Sequence, residues 1–223
     1  NTPHDISACL VGSEMCIRDR HRAEMNNVYR YTRHVYDISR KYFLFGRDTL
    51  ISEVANKSGQ KICEIGCGTG RNLIKLAQLN SSNQLFGIDA SDLMLEIARG
   101  KIKRHKLERL VSTSNGLAEE FHFHTSFDVI MFPYSLSMIS DQEGAIRNAF
   151  KFLNPGGVIL ILDFGELEGF PLIVGHLFKK FLKRFSVSPR KRELSLFLTR
   201  EHIPFKIRNL SFGYSYIAEV RKN

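Results

Sequence analysis

The sequence predicts a doubly wound α/β domain: a mostly parallel sheet with helices on both faces, an antiparallel hairpin at its C-terminal edge and a helical cap before it. Three observations predict it. Strand-like apolar runs alternate with amphipathic stretches from Lys61 to Leu162, as in consecutive βαβ units. The turn Gly66-Cys67-Gly68-Thr69-Gly70 lies directly after the first strand and directly before a helix. Two strand-like stretches, Pro204 to Leu210 and Tyr214 to Val220, follow one another with no helix between them.

Residues 1–20 do not share the pattern of the rest, and Val11 to Arg20 resembles a translated sequencing-adaptor tail, so they are set aside and the native start is expected near Met25. From Met25 to Leu44, Val28, Tyr31, Val35, Ile38 and Tyr42 recur every three or four positions, which predicts an amphipathic helix ending near Gly46. A short helix from Asp48 to Ala55 completes a cap over 25–57, and the α/β domain is expected over 58–223. Within it the pattern gives strand Lys61–Ile65, helix Arg71–Leu79, strand Gln84–Ile88 and helix Ser91–Lys103. A strand near Leu110–Ser114, strand Phe127–Met131, helix Gln142–Phe152 and strand Val158–Leu162 follow. A basic helical insertion at about 167–200 comprises helices Phe170–Phe185 and Lys191–Thr199, ahead of the hairpin.

A chain of 223 residues with 43% hydrophobic content supports one substantial core and one active site. Cys9, Cys16, Cys63 and Cys67 form neither a disulfide framework nor a metal-ligand pattern, so no metal is expected and a reducing cytoplasm fits. No apolar run is long enough to span a bilayer. The formal charge of +9 favours an anionic partner; residues 1–20 hold two basic and three acidic residues, so the charge without them is +10.

The glycine turn is where the chemistry begins. Glycines let the chain turn sharply and let a ligand approach its backbone. The spacing is not that of the wider dinucleotide fingerprint, and no Gly-Lys-Ser/Thr follows for a triphosphate, so pyrophosphate is not the expected ligand. The second strand ends in Gly87-Ile88-Asp89, about twenty residues on, where a carboxylate accepts hydrogen bonds from both hydroxyls of an adenosine ribose.

Glu64 to Gly70, Asp89, and the turn Asn154-Pro155-Gly156-Gly157 resemble the first motif, the second motif and the turn before the fifth strand of the class I S-adenosylmethionine-dependent methyltransferases. The resemblance implies a Rossmann-like fold with S-adenosyl-L-methionine as cofactor. It implies that Gly66, Cys67 and Gly68 pass close to the cofactor's methionine part, that Gly70 is a further cofactor-binding residue of the loop, and that Glu64 organises the loop or binds the cofactor amine through water. Leu93 or Met94 would cover the adenine, and Asn115, where many relatives have an aspartate, would bind its amino group through the amide oxygen.

A narrower resemblance concerns the acceptor. The segment Tyr29 to Asp48, rich in Tyr and Arg, together with Tyr134 to Ile139 and Val187 to Arg190, is similar to the betaine-lipid N-methyltransferases, which trimethylate the amine of diacylglycerylhomoserine. It implies a lipid acceptor at an anionic membrane surface, supplied by a separate enzyme, and a protein held peripherally on the cytoplasmic face. The product is a quaternary ammonium, which tyrosine faces stabilise. Tyr31, Tyr36 and Tyr134 are the candidates for that role, and Arg47 or Arg40 for binding a carboxylate of substrate or cofactor. His122 and His124 are further candidates for a base, against the plainer reading of a solvated strand edge.

From His176 to Arg192 there is no acid, and Leu177, Phe178, Phe181, Leu182 and Phe185 share one helical face. Such a basic amphipathic helix lies in the interface of an anionic membrane, or else covers the sheet with its phenylalanines. Two rival functions stand beside the betaine-lipid reading. One is C-methylation of a membrane quinone precursor. The other is nucleic-acid binding by an inert methyltransferase fold, suggested by charge but without an RNA-recognition signature, so no nucleic acid is expected.

Overall fold

The computed structural model describes residues 44–170, 176–178, 180 and 189–222. The helix expected over 25–44, with Tyr31, Tyr36 and Arg40, lies outside them. The described chain runs α1 (Arg47–Ala55), β1 (Lys61–Ile65), α2 (Arg71–Leu79), β2 (Gln84–Asp89), α3 (Asp92–Arg104), β3 (Val111–Asn115) and β4 (Phe127–Pro133). It continues through α4 (Gln142–Lys151), β5 (Leu153–Phe164), α5 (Lys191–Arg200), β6 (Phe205–Leu210) and β7 (Ser215–Arg221), with short 3-10 turns at Leu136–Met138 and Ser211–Gly213.

The seven strands are ordered β3-β2-β1-β4-β5-β7-β6. All neighbours are parallel except β7, which runs antiparallel to both β5 and β6. The order reverses between β1 and β4, so the crevice where ligands gather in such sheets opens at the C-terminal ends of these two strands.

Alternation along the strands fills two cores. Ile62, Val129, Met131, Leu160 and Leu162 face one side and meet Leu73 and Leu76 of α2 and Leu95 of α3. Cys63, Ile65, Ile130, Phe132, Ile159 and Ile161 face the other and meet Ala145 and Ile146 of α4 and Leu194 and Leu198 of α5. By the same alternation Glu64 points to the α2 side, while Asp163 follows Ile161 to the α4 side. Leu50, Ile51 and Val54 of α1 are buried in the first core, so this helix packs as part of the sheet's own covering.

Local chemistry sets the helix starts. Ser91 Oγ accepts the Met94 N–H to begin α3, and Asp141 Oδ1 accepts the Gly144 N–H at 2.8 Å to begin α4. Gly70 starts α2 with φ +73, a left-handed conformation that its missing side chain makes inexpensive. One expectation shifts: Asn154 to Gly157 does not stand before β5 but is included in it. The pairing jumps from Phe127↔Leu153 to Val129↔Val158, so the four residues form an irregularity that Lys222 pins through the Gly156 N–H and the Gly157 carbonyl.

Candidate active site

The loop after β1 is stitched to the end of β2. The Ile88 carbonyl accepts both the Gly66 N–H at 2.7 Å and the Cys67 N–H at 2.9 Å, and Gly70 N–H returns to the Cys67 carbonyl at 3.0 Å. Gly66, Gly68 and Gly70 all have positive φ. Two glycines of the site are required by close approach: a Cβ on Gly66 would stand 2.5 Å from Ser135 Cβ, and one on Gly87 would stand 2.6 Å from Leu73 Cδ1 and 2.8 Å from Cys67 Sγ. A Cβ on Gly68 would meet nothing within 4 Å, so the loop is open there for a ligand to approach.

Asp89 closes the loop. Its Oδ2 accepts the Gly68 N–H at 2.8 Å and its Oδ1 accepts the Ser91 N–H at 2.9 Å. The carboxylate therefore orders the turn from the end of β2.

Glu64 lies beneath the loop, 1% exposed. Its Oε1 accepts Asn72 Nδ2 at 2.7 Å, while Oε2 has no hydrogen-bond partner among the described residues. Burial pushes this carboxyl up to about 8, against the downward pull of the Asn72 hydrogen bond and the Arg47 and Arg71 charges, with Asp89 adding to the rise. A buried acid with one oxygen unspent, beside an open glycine backbone and a second carboxylate, fits a cofactor that brings positive charge: S-adenosyl-L-methionine has a sulfonium and an amine.

Tyr134 follows β4 with φ +60, unusual for a bulky residue. Its backbone N–H reaches the Leu162 carbonyl at 2.6 Å, its ring stacks at a tilt on Phe164 at 4.7 Å, and its hydroxyl donates to the Phe45 carbonyl at 2.5 Å. Burial pushes the phenol far above its ordinary range. The contact ties the segment Leu44–Gly46 to the rim of the sheet and brings in Arg47, whose charge acts on both Glu64 and Tyr134. Next to Tyr134, Ser135 Oγ donates to the Ile65 carbonyl at 2.6 Å and joins β4 to β1 across the crevice. On the far face Asp163, at the end of β5, accepts the Ser137 N–H through Oδ2 and its own chain's Phe164 N–H through Oδ1, both at 2.8 Å. Burial raises its carboxyl to about 6 against these hydrogen bonds.

The structure thus brings together Arg47, Glu64, Gly66, Cys67, Gly68, Gly70, Asp89 and Tyr134 at one end of the sheet. Leu93 and Met94 begin α3 beside Asp89, Leu93 half-buried and Met94 fully buried. Asn115 is exposed; its Nδ2 donates to the Ala90 carbonyl and to Asp92 Oδ1, which leaves the amide oxygen facing no donor among the described residues. Cys63 and Cys67 are buried thiols held above their usual range by burial, which suits apolar filling and not nucleophilic attack. His122 and His124 are exposed and precede β4, at the end of the sheet away from the loop. Asn72, Ser135 and Asp163 were not singled out from the sequence. Only Asp163 left a signal, as a lone acid ending the apolar run Val158 to Leu162.

A family model described as a methyltransferase domain matches residues 56–191. A demethylmenaquinone methyltransferase of Tropheryma whipplei is 27% identical over 162 residues, which is 70% of this chain and 66% of that protein. The ubiquinone/menaquinone biosynthesis C-methyltransferase UbiE of Proteus mirabilis is 26% identical over 162 residues, 70% of this chain and 64% of that protein. The chain thus spans just under two thirds of the length of these relatives. Among solved structures, a SAM-dependent methyltransferase of Thermotoga maritima, described as a possible histamine N-methyltransferase, superposes with a TM-score of 0.67 at 18% identity, over 89% of this chain and all of that one.

Proposed function

The chain belongs to the methyltransferase-domain family, with S-adenosyl-L-methionine as its cofactor, and from that premise we propose that it N-methylates the amine of diacylglycerylhomoserine to the trimethylated betaine lipid. The observation that carries this reading is the placement of Arg47. The Leu44-Phe45-Gly46-Arg47-Asp48 stretch, part of the resemblance to betaine-lipid enzymes, sits at the rim of the cofactor crevice, with the Arg47 charge acting on Glu64 and Tyr134. A homoserine head group presents a carboxylate beside its amine, and a guanidinium is the side chain suited to hold it.

S-adenosyl-L-methionine supplies an electrophilic methyl on a sulfonium. The protein's task is to align a neutral amine in line with that methyl and to exclude water. Asp89 and the glycine turn fix the donor's place, Glu64 supplies negative charge under the loop once it gives up its proton to the cationic cofactor's pull, and Arg47 fixes the acceptor's carboxylate. Tyr31 and Tyr36 are proposed to face the growing ammonium, with Tyr134 holding the segment that follows them. A separate enzyme would supply diacylglycerylhomoserine.

The second reading, C-methylation of a membrane quinone precursor, is favoured by the names of the sequence relatives. The match to the family model begins at residue 56, after the Tyr- and Arg-rich segment Tyr29 to Asp48 that forms one part of the betaine-lipid resemblance. Lipid mass spectrometry separates the two. Cells supplied with diacylglycerylhomoserine and expressing residues 25–223 should accumulate mono-, di- and trimethylated forms. Folded, cofactor-binding protein that yields none, and instead methylates a demethylated quinone, overturns the proposal.

A further inference from the structure

We propose that the tip of the β6–β7 hairpin, with Phe212 at its apex, is a membrane anchor that inserts into an anionic bilayer beside the active-site crevice. Phe212 is 83% exposed, the most exposed large apolar residue among those described. It also sits in a left-handed backbone conformation, φ +56, between Ser211 at φ +46 and Gly213 at φ +80. Three consecutive left-handed residues make a turn in which glycine or asparagine is the inexpensive choice. A bulky aromatic there adds strain and leaves apolar surface in water, with no compensation inside the fold; such a broken local rule points to a role outside it.

The tip is held firmly. Gly165, Leu167 and Gly169 donate their N–H groups to the carbonyls of Tyr214, Gly213 and Phe212 at 2.8, 2.9 and 3.1 Å. A Cβ on Gly169 would stand 2.7 Å from the Phe212 carbonyl oxygen, so the two strands of this contact are as close as backbones come. The Tyr214 ring meets Phe45 at 5.2 Å and Phe178 at 5.1 Å, which sets two more exposed apolar residues, Phe45 and Leu177, on the same rim. β7 starts where β5 ends, Ser215 opposite Phe164, so this rim is the end of the sheet that bears the crevice.

Charge identifies the occupant. The chain meets this rim at Phe178, whose ring lies against Tyr214, and again at Lys191, which pairs with Glu168 at 2.9 Å. Between His176 and Arg192 it has seven Lys and Arg and no acid. Together with an exposed aromatic, such an acid-free basic stretch of sequence is the composition that binds anionic lipid head groups while the aromatic enters the acyl boundary. The inference deepens the lipid-acceptor reading, yet membrane binding is measured without any methyl transfer.

The chain contains no tryptophan, so Phe212→Trp places a single fluorophore at the tip. With vesicles of phosphatidylcholine and phosphatidylglycerol, free of acceptor lipid and cofactor, its emission should shift to the blue; pure phosphatidylcholine should shift it far less. Phe212→Asn, which suits the left-handed backbone, should lower co-flotation with the mixed vesicles at least tenfold while S-adenosyl-L-methionine binding and thermal stability hold or improve. Unshifted emission, equal flotation of wild type and Phe212→Asn, or concentration-dependent self-association that Phe212→Asn abolishes would each overturn the anchor. Vesicles that bind but, once diacylglycerylhomoserine and S-adenosyl-L-methionine are added, yield no methylated lipid would instead count against the acceptor alone.

Discussion

Replacing Glu64 by glutamine separates what this acid costs the fold from what it contributes to the cofactor. In the folded protein the carboxyl titrates at about 8, against an ordinary 4.5. The folded state therefore keeps a proton that the unfolded chain gives up between those values, so the stability contributed by this group is full below pH 4.5 and is lost as pH rises to about 8. At 1.36 kcal/mol per unit the loss is on the order of 5 kcal/mol across that window. Glutamine copies the neutral acid, still accepts from Asn72, and does not titrate. Urea unfolding at about pH 5 and about pH 8.5 should show the variant gaining several kcal/mol on wild type at the higher pH, with m unchanged. Cofactor affinity should move the other way: wild type should bind S-adenosyl-L-methionine more tightly as pH rises toward 8, while Glu64→Gln binds with little pH dependence and about ten- to a hundredfold more weakly above that pH, as loss of a charged partner implies. Calorimetric titration reads both. Stability curves that stay parallel across pH, or unaltered affinity in the variant, would refute the assignment of a protonated, cofactor-facing acid.

Asp89→Ala strips the Gly68 and Ser91 N–H groups of their partner as well as the ribose of its acceptor, and should raise the cofactor Kd at least a hundredfold by calorimetry. Gly66→Ala drives a methyl onto Ser135 and should lower stability by roughly 2 kcal/mol or more, whereas Gly68→Ala, with open space at its Cβ, should cost about 1 kcal/mol of backbone strain and show its main effect as weakened cofactor binding. Chemical denaturation beside calorimetry distinguishes them. Tyr134→Phe removes the hydroxyl that holds Phe45 and should cost about 1 kcal/mol, with accelerated amide exchange at residues 44–50 and a raised acceptor KM at nearly constant cofactor affinity. Asp163→Asn should flatten the decline in stability between about pH 4 and the group's raised value of about 6, followed by thermal melts.

Much of the sheet was legible because hydrophobic period and glycine punctuation agree: Lys61–Ile65 and Arg71–Leu79 have the boundaries read from sequence, and the other described strands and helices differ mainly at their ends. The start of β5 was missed because Pro155 and the two glycines signal a turn, while the pairing of Leu153 with Phe127 and the grip of Lys222 are long-range and override that local signal. The glycine turn could be read since its residues are contiguous in sequence. Asn72 and Ser135 could not, because an asparagine in a helix acquires its role only when α2 packs on β1 beside Glu64, and a serine after a strand only when β4 pairs with β1 beside Ile65. Asp89 shows the converse: the motif suggests a ligand role for it, whereas its clamping of Gly68 emerges only in the folded turn.

The grip of Tyr134 on Phe45 has one more consequence. The phenol recognises a main-chain oxygen, a group that every amino acid offers at that place, so the latch is indifferent to the side chain it fastens. The segment entering at residue 44 is thereby free to change its side chains without losing its mooring to the sheet. Chimeras that graft the entry segment of one methyltransferase onto the body of another should therefore succeed or fail on whether a hydroxyl stands at position 134 and glycine at position 46, where a Cβ would strike Leu210.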